Sequence, residues 1–275
     1  MNPVNSVWTA PKRWTPPPLV RLSLVLHVAA LLALLVMPAW WPWVLAALVV
    51  NHLALSLAGL LPRCQLLGSN WTRLPAAATA RGEIALTIDD GPHPTITPAV
   101  LDLLDLHAAK VTFFCVGTQA SRYPELCRDI IARGHAIENH SQLHRHNFSL
   151  LGRRGFEREL QAAQDSLTAA TGQRPQFFRA PAGLRNPFLD PVLQQLGLQL
   201  ASWTRRAYDT RVGNPAVVLA KLTQSLQAGD ILLLHDNHAA LTPAGIPVIL
   251  EVLPALLTTI QQSGLRPVTL RNALL

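Results

Sequence analysis

Between Leu22 and Leu61 the chain is almost continuously apolar. Leu22 to Met37 is broken only by Ser23 and His27. After Pro38-Ala39-Trp40-Trp41-Pro42 a second run, Trp43 to Leu61, has Asn51 and His52 as its most polar members. Neither run carries a charge, and Arg21 and Arg63 bracket the pair. Helices that are apolar on every face, rather than along one stripe, are surrounded by hydrocarbon or by a protein core. Each run is near the lower limit for crossing a bilayer, about 17–25 residues, and the tryptophans at the turn suit the interfacial aromatic belt. The pattern predicts a proline-rich irregular leader over residues 1–20 and a membrane helical hairpin over 21–62, with spans near 22–38 and 43–61. A single signal anchor beside a buried or interfacial helix, and two apolar helices within a soluble core, are the competing readings. A cleaved signal peptide fits poorly, because the apolar segment is long, starts late and precedes no clean small-residue cleavage site. Asn51 and His52 are expected to find a partner across the hairpin or a place near a helix kink rather than to form an intramembrane site.

From residue 81 the pattern changes to short apolar runs alternating with longer amphipathic ones. Strand-like runs fall at Ile84–Ile88, Val111–Cys115, Ala136–Glu138, Gln176–Phe178, Leu198–Ser202, Ile231–Leu234 and Pro267–Leu270. Helical periodicity lies between them, near Thr97–His107, Pro124–Arg133, Arg153–Thr171, Pro187–Leu196, Pro215–Gln227 and Pro243–Ser263. Strand, crossover helix and next strand together predict a parallel α/β domain over 81–275. Residues 63–80, with Pro75 and an alanine run, read as a linker.

Charge sharpens the membrane reading. The formal net charge is +7, yet before residue 80 there are five bases (Lys12, Arg13, Arg21, Arg63, Arg73) and no acid, leaving 18 bases against 16 acids in the remainder. Basicity that flanks an apolar region points to anionic lipid headgroups rather than nucleic acid. With two spans, positive flanks on both ends put the C-terminal domain in the cytoplasm of a bacterial inner membrane; with one span it would be periplasmic. Three unpaired-looking cysteines (Cys64, Cys115, Cys127) exclude a disulfide framework and a four-thiolate zinc site.

The candidate chemistry sits where strands end. Thr87-Ile88-Asp89-Asp90-Gly91-Pro92 closes the first apolar run with two adjacent carboxylates. Neighbouring side chains on an extended segment point to opposite sides, so Asp89 and Asp90 need different partners. His140-Ser141-Gln142-Leu143-His144 offers two imidazoles four residues apart; on a helical turn both would share one face. With a carboxylate from Asp90 they make a two-nitrogen, one-oxygen set that leaves open positions on an ion, as catalytic zinc sites do. Arg179 and His235 also follow apolar runs. No G-x-G-x-x-G follows the first strand, which argues against a nucleotide cofactor.

These residues resemble the polysaccharide deacetylase family, the NodB homology domain of carbohydrate esterase family 4. The likeness rests on Thr87 to Pro92, His140 to His144, Arg179-Ala180-Pro181-Ala182-Gly183 and Leu232-Leu233-Leu234-His235, in family order. It implies a distorted (β/α) barrel of about seven parallel strands and hydrolysis of an N-acyl group, acetyl or formyl, from an amino sugar. It also implies one divalent ion, zinc first with cobalt, manganese or nickel as alternatives, held by Asp90, His140 and His144. By the same resemblance Asp89 is the general base, Arg179 its positioning partner, the Ala182 backbone N–H an oxyanion donor, His235 the general acid and Asp209 its tuning carboxylate. Pro181, Gly183, Arg185, Trp203, Arg205 and Arg206 are candidates for substrate contact.

Two departures alter the pocket wall. Trp203-Thr204-Arg205-Arg206-Ala207-Tyr208-Asp209-Thr210 has Arg206 and Thr210 where the family pattern carries aspartate and tryptophan, and Ala182 stands where many members have tyrosine. The catalytic set with a changed wall predicts a changed substrate: an N-acylated amino sugar or glycan, on a polyprenyl-phosphate-type carrier at the membrane. A periplasmic peptidoglycan or exopolysaccharide N-deacetylase, and a non-catalytic carbohydrate-binding module on the same fold, are the alternatives.

Overall fold

The structure is a computed structural model that describes residues 14–275, so most of the leader lies outside the described residues. Beyond residue 81 the chain forms parallel strands, β1 (Glu83–Asp89), β2 (Thr112–Cys115), β3 (Ala136–Asn139), β4 (Phe177–Phe178), β5 (Gln199–Leu200), β6 (Arg205–Arg206), β7 (Ile231–His235) and β8 (Arg266–Pro267), all of them in or overlapping the expected apolar runs except β6. Seven follow one another in the order β5-β4-β3-β2-β1-β7-β6, and β8 pairs with the foot of β1. Every residue of β1 is buried, as a central parallel strand covered on both faces requires.

The sheet curls on itself. Its two ends, β5 and β6, are the two halves of one extended run, residues 199–206. Ala201 N donates to Phe178 O (2.9 Å) on one side and Thr204 N donates to Ile231 O (2.8 Å) on the other. The run read as a single strand, Leu198–Ser202, is therefore longer and changes partners midway. Trp71 and Thr72 line it: Trp71 N donates to Leu200 O and Ser202 N to Trp71 O, both 2.8 Å. Thr204 Oγ1 donates to Thr72 O (2.7 Å). The result is the distorted barrel of parallel strands that the sequence implied.

Helices cover the barrel, and those beyond residue 81 arise where the 3.6-residue pattern placed them, save one short helix after β2; another short helix forms in the stretch read as a linker. The two apolar runs form α1 (Pro18–Val36) and α2 (Trp41–Leu60). Then follow α3 (Ala76–Ala80), α4 (Ile96–Leu106), α5 (Gly117–Arg122), α6 (Pro124–Ala132), α7 (Arg153–Thr171), α8 (Leu189–Leu196), α9 (Pro215–Thr223) and α10 (Val248–Gln262). In α7 the buried residues Phe156, Leu160, Ala163, Leu167 and Ala170 recur at helical spacing, each large one contributing about 1.5–3 kcal/mol of burial. Gly172 ends it at φ 72°, the left-handed conformation a helix C-terminus favours. Residues 63–80, linker-like in composition, are packed: Leu74 and Ala78 are buried beside Ala85 and Ile231 in one cluster.

The apolar hairpin projects from the barrel. Apart from contacts within the pair and at the domain end, its side chains are exposed; Leu35 is 71 % and Trp43 77 % accessible. Asn51 Nδ2 donates to Ser23 Oγ (2.9 Å), and His52 packs edge-on against His27 at 5.3 Å between ring centroids. Both polar residues of α2 thus have the cross-hairpin partners expected of them. The hairpin is also tied to the barrel: Arg185 N donates to Gly59 O (3.1 Å) and Ser202 Oγ to Pro62 O (2.6 Å). A Cβ on Gly59 would lie 2.2 Å from Arg185 O, so that contact requires glycine.

Candidate active site

Parallel strands deliver their C-terminal residues to one end of a barrel, and here β1, β3, β4 and β7 deliver Asp89, His140, Arg179 and His235. These residues line a cleft of about 310 Å³ together with His144, Ala182, Trp203 and Arg206, except Arg179, which lies beneath it.

Asp90 leaves β1 in the left-handed region at φ 76°, which turns its carboxylate away from that of Asp89. Its Oδ1 lies 3.2 Å from His140 Nε2 and 3.2 Å from His144 Nε2. The donor atoms of the three residues all lie within 4.8 Å of one another. The helical turn expected to align the two histidines is absent. Ser141 and His144 have positive φ, 67° and 49°, and a loop brings the rings to 4.9 Å. The loop is fixed by Ser141 N donating to Asn139 Oδ1 (2.8 Å), His144 N to Ser141 Oγ (3.0 Å) and Leu143 N to Glu159 Oε2 (3.1 Å). Strained backbone that the surroundings over-determine is typical of functional loops.

The donor set fits a divalent cation. His140 Nδ1 is 2.8 Å from Arg179 O; with the proton on Nδ1, the Nε2 lone pair faces the cluster. Burial, then the neighbouring His140, pushes His144 down to about 4, keeping its imidazole neutral at physiological pH. Burial works against ionisation of Asp90, but the His140 and His238 imidazoles beside it hold its carboxyl well below the usual range. Asp90 Oδ1 is buried with no hydrogen-bond partner among the described residues. A buried, ionised oxygen between two imidazole nitrogens is costly without a cation, and ion ligation supplies one.

Asp89 is held from the other side. Arg179, 1 % exposed, donates through Nη1 to Asp89 Oδ1 and to Thr87 Oγ1, both 2.7 Å. Its Nη2 donates to Ser202 O (2.7 Å) and its Nε to Ala201 O (3.1 Å). The guanidinium lies 4.1 Å above the Phe114 ring, and its hydrogen bonds fasten the carboxylate at the end of β1 to the run that closes the barrel. The second oxygen, Asp89 Oδ2, is 3.8 Å from His140 Nε2 and faces the cluster.

Opposite the histidines, Asp209 grips His235 twice, accepting from His235 N (2.7 Å) and pairing with Nδ1 (2.9 Å). Burial pulls the His235 imidazole down, but the hydrogen bond and charge of Asp209 more than offset it, and the group titrates above its ordinary value. Asp236, fully buried, accepts from Thr97 Oγ1 and is pushed up to about 7 by burial. A Cβ on Gly91 would come within 2.5 Å of Asp236 Oδ2, which is why glycine follows the aspartate pair.

The wall is built from the other candidates. Pro181, Ala182 and Gly183 form a single tight turn, with Ala182 at φ 54° and exposed to the cleft. A Cβ on Gly183 would strike Pro62 Cβ and Trp203 Cη2 at 2.6 Å; the hairpin exit therefore presses directly on this turn. Arg206 stacks between Trp203 (5.2 Å) and Tyr208 (4.9 Å) and lines the cleft. Arg205 does not: its Nε pairs with Asp230 Oδ2 at 2.7 Å. Adjacent residues of an extended strand face opposite sides, so only one of the two arginines can reach the site. Arg185 points not into this cleft but towards the hairpin. His238, absent from the sequence expectation, lies 3.4 Å from Asp90 Oδ2 through Nδ1. Its position three residues after His235, just past the end of β7, was the available signal.

The sequence model described as "Polysaccharide deacetylase" matches residues 76–201. Over 166 residues the chain is 36 % identical to a chitooligosaccharide deacetylase of Sinorhizobium fredii, spanning 60 % of this chain and 76 % of that one. Over 184 residues it is 33 % identical to a peptidoglycan-N-acetylglucosamine deacetylase of Bacillus cereus, spanning 62 % and 81 %. Its fold superposes on a family 4 carbohydrate esterase from Streptomyces lividans, solved in complex with acetate, with a TM-score of 0.61 and 28 % identity, covering 68 % of this chain and 91 % of that one.

Proposed function

Since the chain belongs to the polysaccharide deacetylase family and is a metal-dependent amide hydrolase, we propose that it removes an N-acetyl or N-formyl group from an amino sugar carried on a polyprenyl-phosphate-type lipid. Asp90, His140 and His144 would hold a zinc or related divalent ion, which would supply Lewis-acid chemistry to the site. Asp89 takes the proton from the attacking water as the oxygen–carbon bond forms. Arg179 fixes the carboxylate's rotamer through its Oδ1 contact, leaving Oδ2 towards the water. The Ala182 N–H donates to the developing oxyanion. His235 then gives its proton to the departing amine as the carbon–nitrogen bond breaks, yielding a carboxylate and an amino sugar.

One observation carries the lipid-linked reading. A cleft of about 600 Å³ adjoins the catalytic one through Trp203 and Arg206 and runs to Leu61, Pro62 and Arg63, where α2 ends. The hairpin, apolar on its exposed faces and free of charge over each run, suits a bilayer. With the hairpin in a bilayer, the adjoining cleft would lie at headgroup level, with Arg63 and Arg206 on its walls and no acid among its lining residues. Guanidinium groups match phosphate in charge and in fork geometry. Against a panel of N-acetyl and N-formyl amino sugars, free or on a polyprenyl phosphate, the full chain in membranes should favour the carrier-linked form in kcat/KM by roughly tenfold or more. Arg206→Ala should remove most of that preference, a loss on the order of 1.5–3 kcal/mol for a charge-assisted contact. Equal turnover of free chitooligosaccharides, unaltered by Arg206→Ala, would sink the proposal. It would favour the second reading, a glycan N-deacetylase, which the likeness to the Bacillus cereus enzyme supports.

The acid assignment has its own pH signature. Asp209→Asn removes the group that raises His235, so the protonated imidazole is lost at lower pH. The alkaline limb of kcat/KM should therefore move to lower pH. An unmoved alkaline limb in Asp209→Asn would transfer the acid role to another group.

A further inference from the structure

The hairpin and the catalytic domain enclose a second cavity, of about 340 Å³, that shares no lining residue with the catalytic cleft. Its floor is Arg185, 4 % exposed. Nη2 donates to Cys64 O (2.5 Å), whereas Nε and Nη1 are buried without a hydrogen-bond partner among the described residues. A buried guanidinium without a counter-charge is among the costliest arrangements in a protein. Burial lowers its pKa. The carboxylate that acts on it through space, Asp190, accepts instead from Trp14 Nε1 (2.7 Å) and does not line the cavity.

The remaining walls define the ligand. Val20, Leu24 and Leu55 give an apolar side contributed by the domain-proximal turns of α1 and α2. Ser23, Ser56 and Asn186 add hydroxyl and amide groups near Arg185, and no acidic residue lines the space. Positive charge at the base and apolar faces of the domain-proximal turns of α1 and α2 along the side together describe the headgroup zone of a membrane. We propose that this cavity binds the phosphate of an anionic glycerophospholipid, with the Arg185 guanidinium donating to the phosphate oxygens and the acyl chain lying along α1 and α2. A fixed positive charge with unpartnered N–H donors suits a phosphate diester. Because Arg185 N also holds Gly59 O, and Gly183 two residues earlier abuts Pro62, the bound lipid would clamp the hairpin to the turn that walls the active site.

The test reads bound lipid, so its result is independent of turnover and of the substrate reading. The full chain is transferred to micelles of phosphatidylcholine doped with phosphatidylglycerol, and retained lipid is counted by native mass spectrometry. Wild type should hold one phosphatidylglycerol, preferred over phosphatidylcholine on the order of fivefold to tenfold. Arg185→Gln should fall to the phosphatidylcholine background, and so should Ser56→Leu, which fills the cavity and leaves the arginine intact. Zinc content of each sample reports that the fold survives; if Arg185→Gln does not fold, Ser56→Leu decides alone. Lack of preference in wild type, or a preference that Ser56→Leu leaves unchanged, would overturn the proposal. Displacement of the lipid by millimolar inorganic phosphate would overturn it as well, reducing the cavity to a generic anion site.

Discussion

Asp89→Asn is expected to lower kcat by roughly a hundredfold to ten-thousandfold, the range a positioned general base contributes, while leaving the metal content of the protein at wild-type level. Asparagine preserves the shape and an acceptor for Arg179 Nη1, so the backbone of β1 and the Asp90 carboxylate are undisturbed. What it removes is the ability of the oxygen facing the cluster, 3.8 Å from His140 Nε2, to take a proton. The substitution also leaves Arg179 buried beside a neutral partner, and breaking a buried ion pair from one side costs about 3–5 kcal/mol. Turnover must therefore be measured well below the variant's melting temperature and set against metal stoichiometry from the same preparation. Loss of activity together with loss of metal would indicate a structural role, and full activity would return the base assignment to another residue.

Much of the site was legible in the sequence because the fold does little to rearrange it. A parallel strand ends where its apolar run ends, so Asp89, Arg179 and His235 could be assigned to one rim before any coordinates. The misreadings have physical causes. His140 and His144 have helical spacing, but β3 ends at Asn139 and the following loop carries left-handed residues at Ser141 and His144, which no period in the hydrophobic pattern encodes. The run from 199 to 206 changes neighbours midway, and a change of partner leaves no trace in composition. Arg205 and Arg206 could have been separated in advance, since strand alternation admits one of them to the cleft and sends the other to Asp230. Arg185 could not. Its surroundings are made by Gly59, Cys64 and the hairpin, more than a hundred residues away in sequence.

The same geometry ties the end of α2 to the turn and the run that shape the site. Pro62 sits where a Cβ on Gly183 would be, and it accepts from Ser202 Oγ next to the carbonyl that Arg179 Nη2 uses. Displacing the end of α2 would therefore move the turn bearing Ala182 and loosen the run that holds Arg179. Access to the cleft and alignment of its groups depend on one set of contacts.

Removing the metal should abolish turnover, a loss on the order of a thousandfold or more, because an ion's charge stabilisation amounts to several kcal/mol and each 1.4 kcal/mol is a factor of ten. A chelator followed by gel filtration should yield inactive protein, and stoichiometric zinc, cobalt or manganese should restore activity in proportion to occupancy. Stability provides an independent readout. Without an ion, the Asp90 oxygen remains buried and unpaired between His140 and His144, so an ion binding only the folded state stabilises by about 2.7 kcal/mol at a hundredfold excess over its dissociation constant. The melting temperature should accordingly rise on reconstitution. His140→Ala should abolish both responses, since its ring is buried and locked by Arg179 O. His144→Ala, at the more open edge, should weaken affinity while sparing the fold. A chelated protein that keeps its activity, or a melting temperature indifferent to every divalent ion in wild type, would exclude Asp90, His140 and His144 as a catalytic metal site.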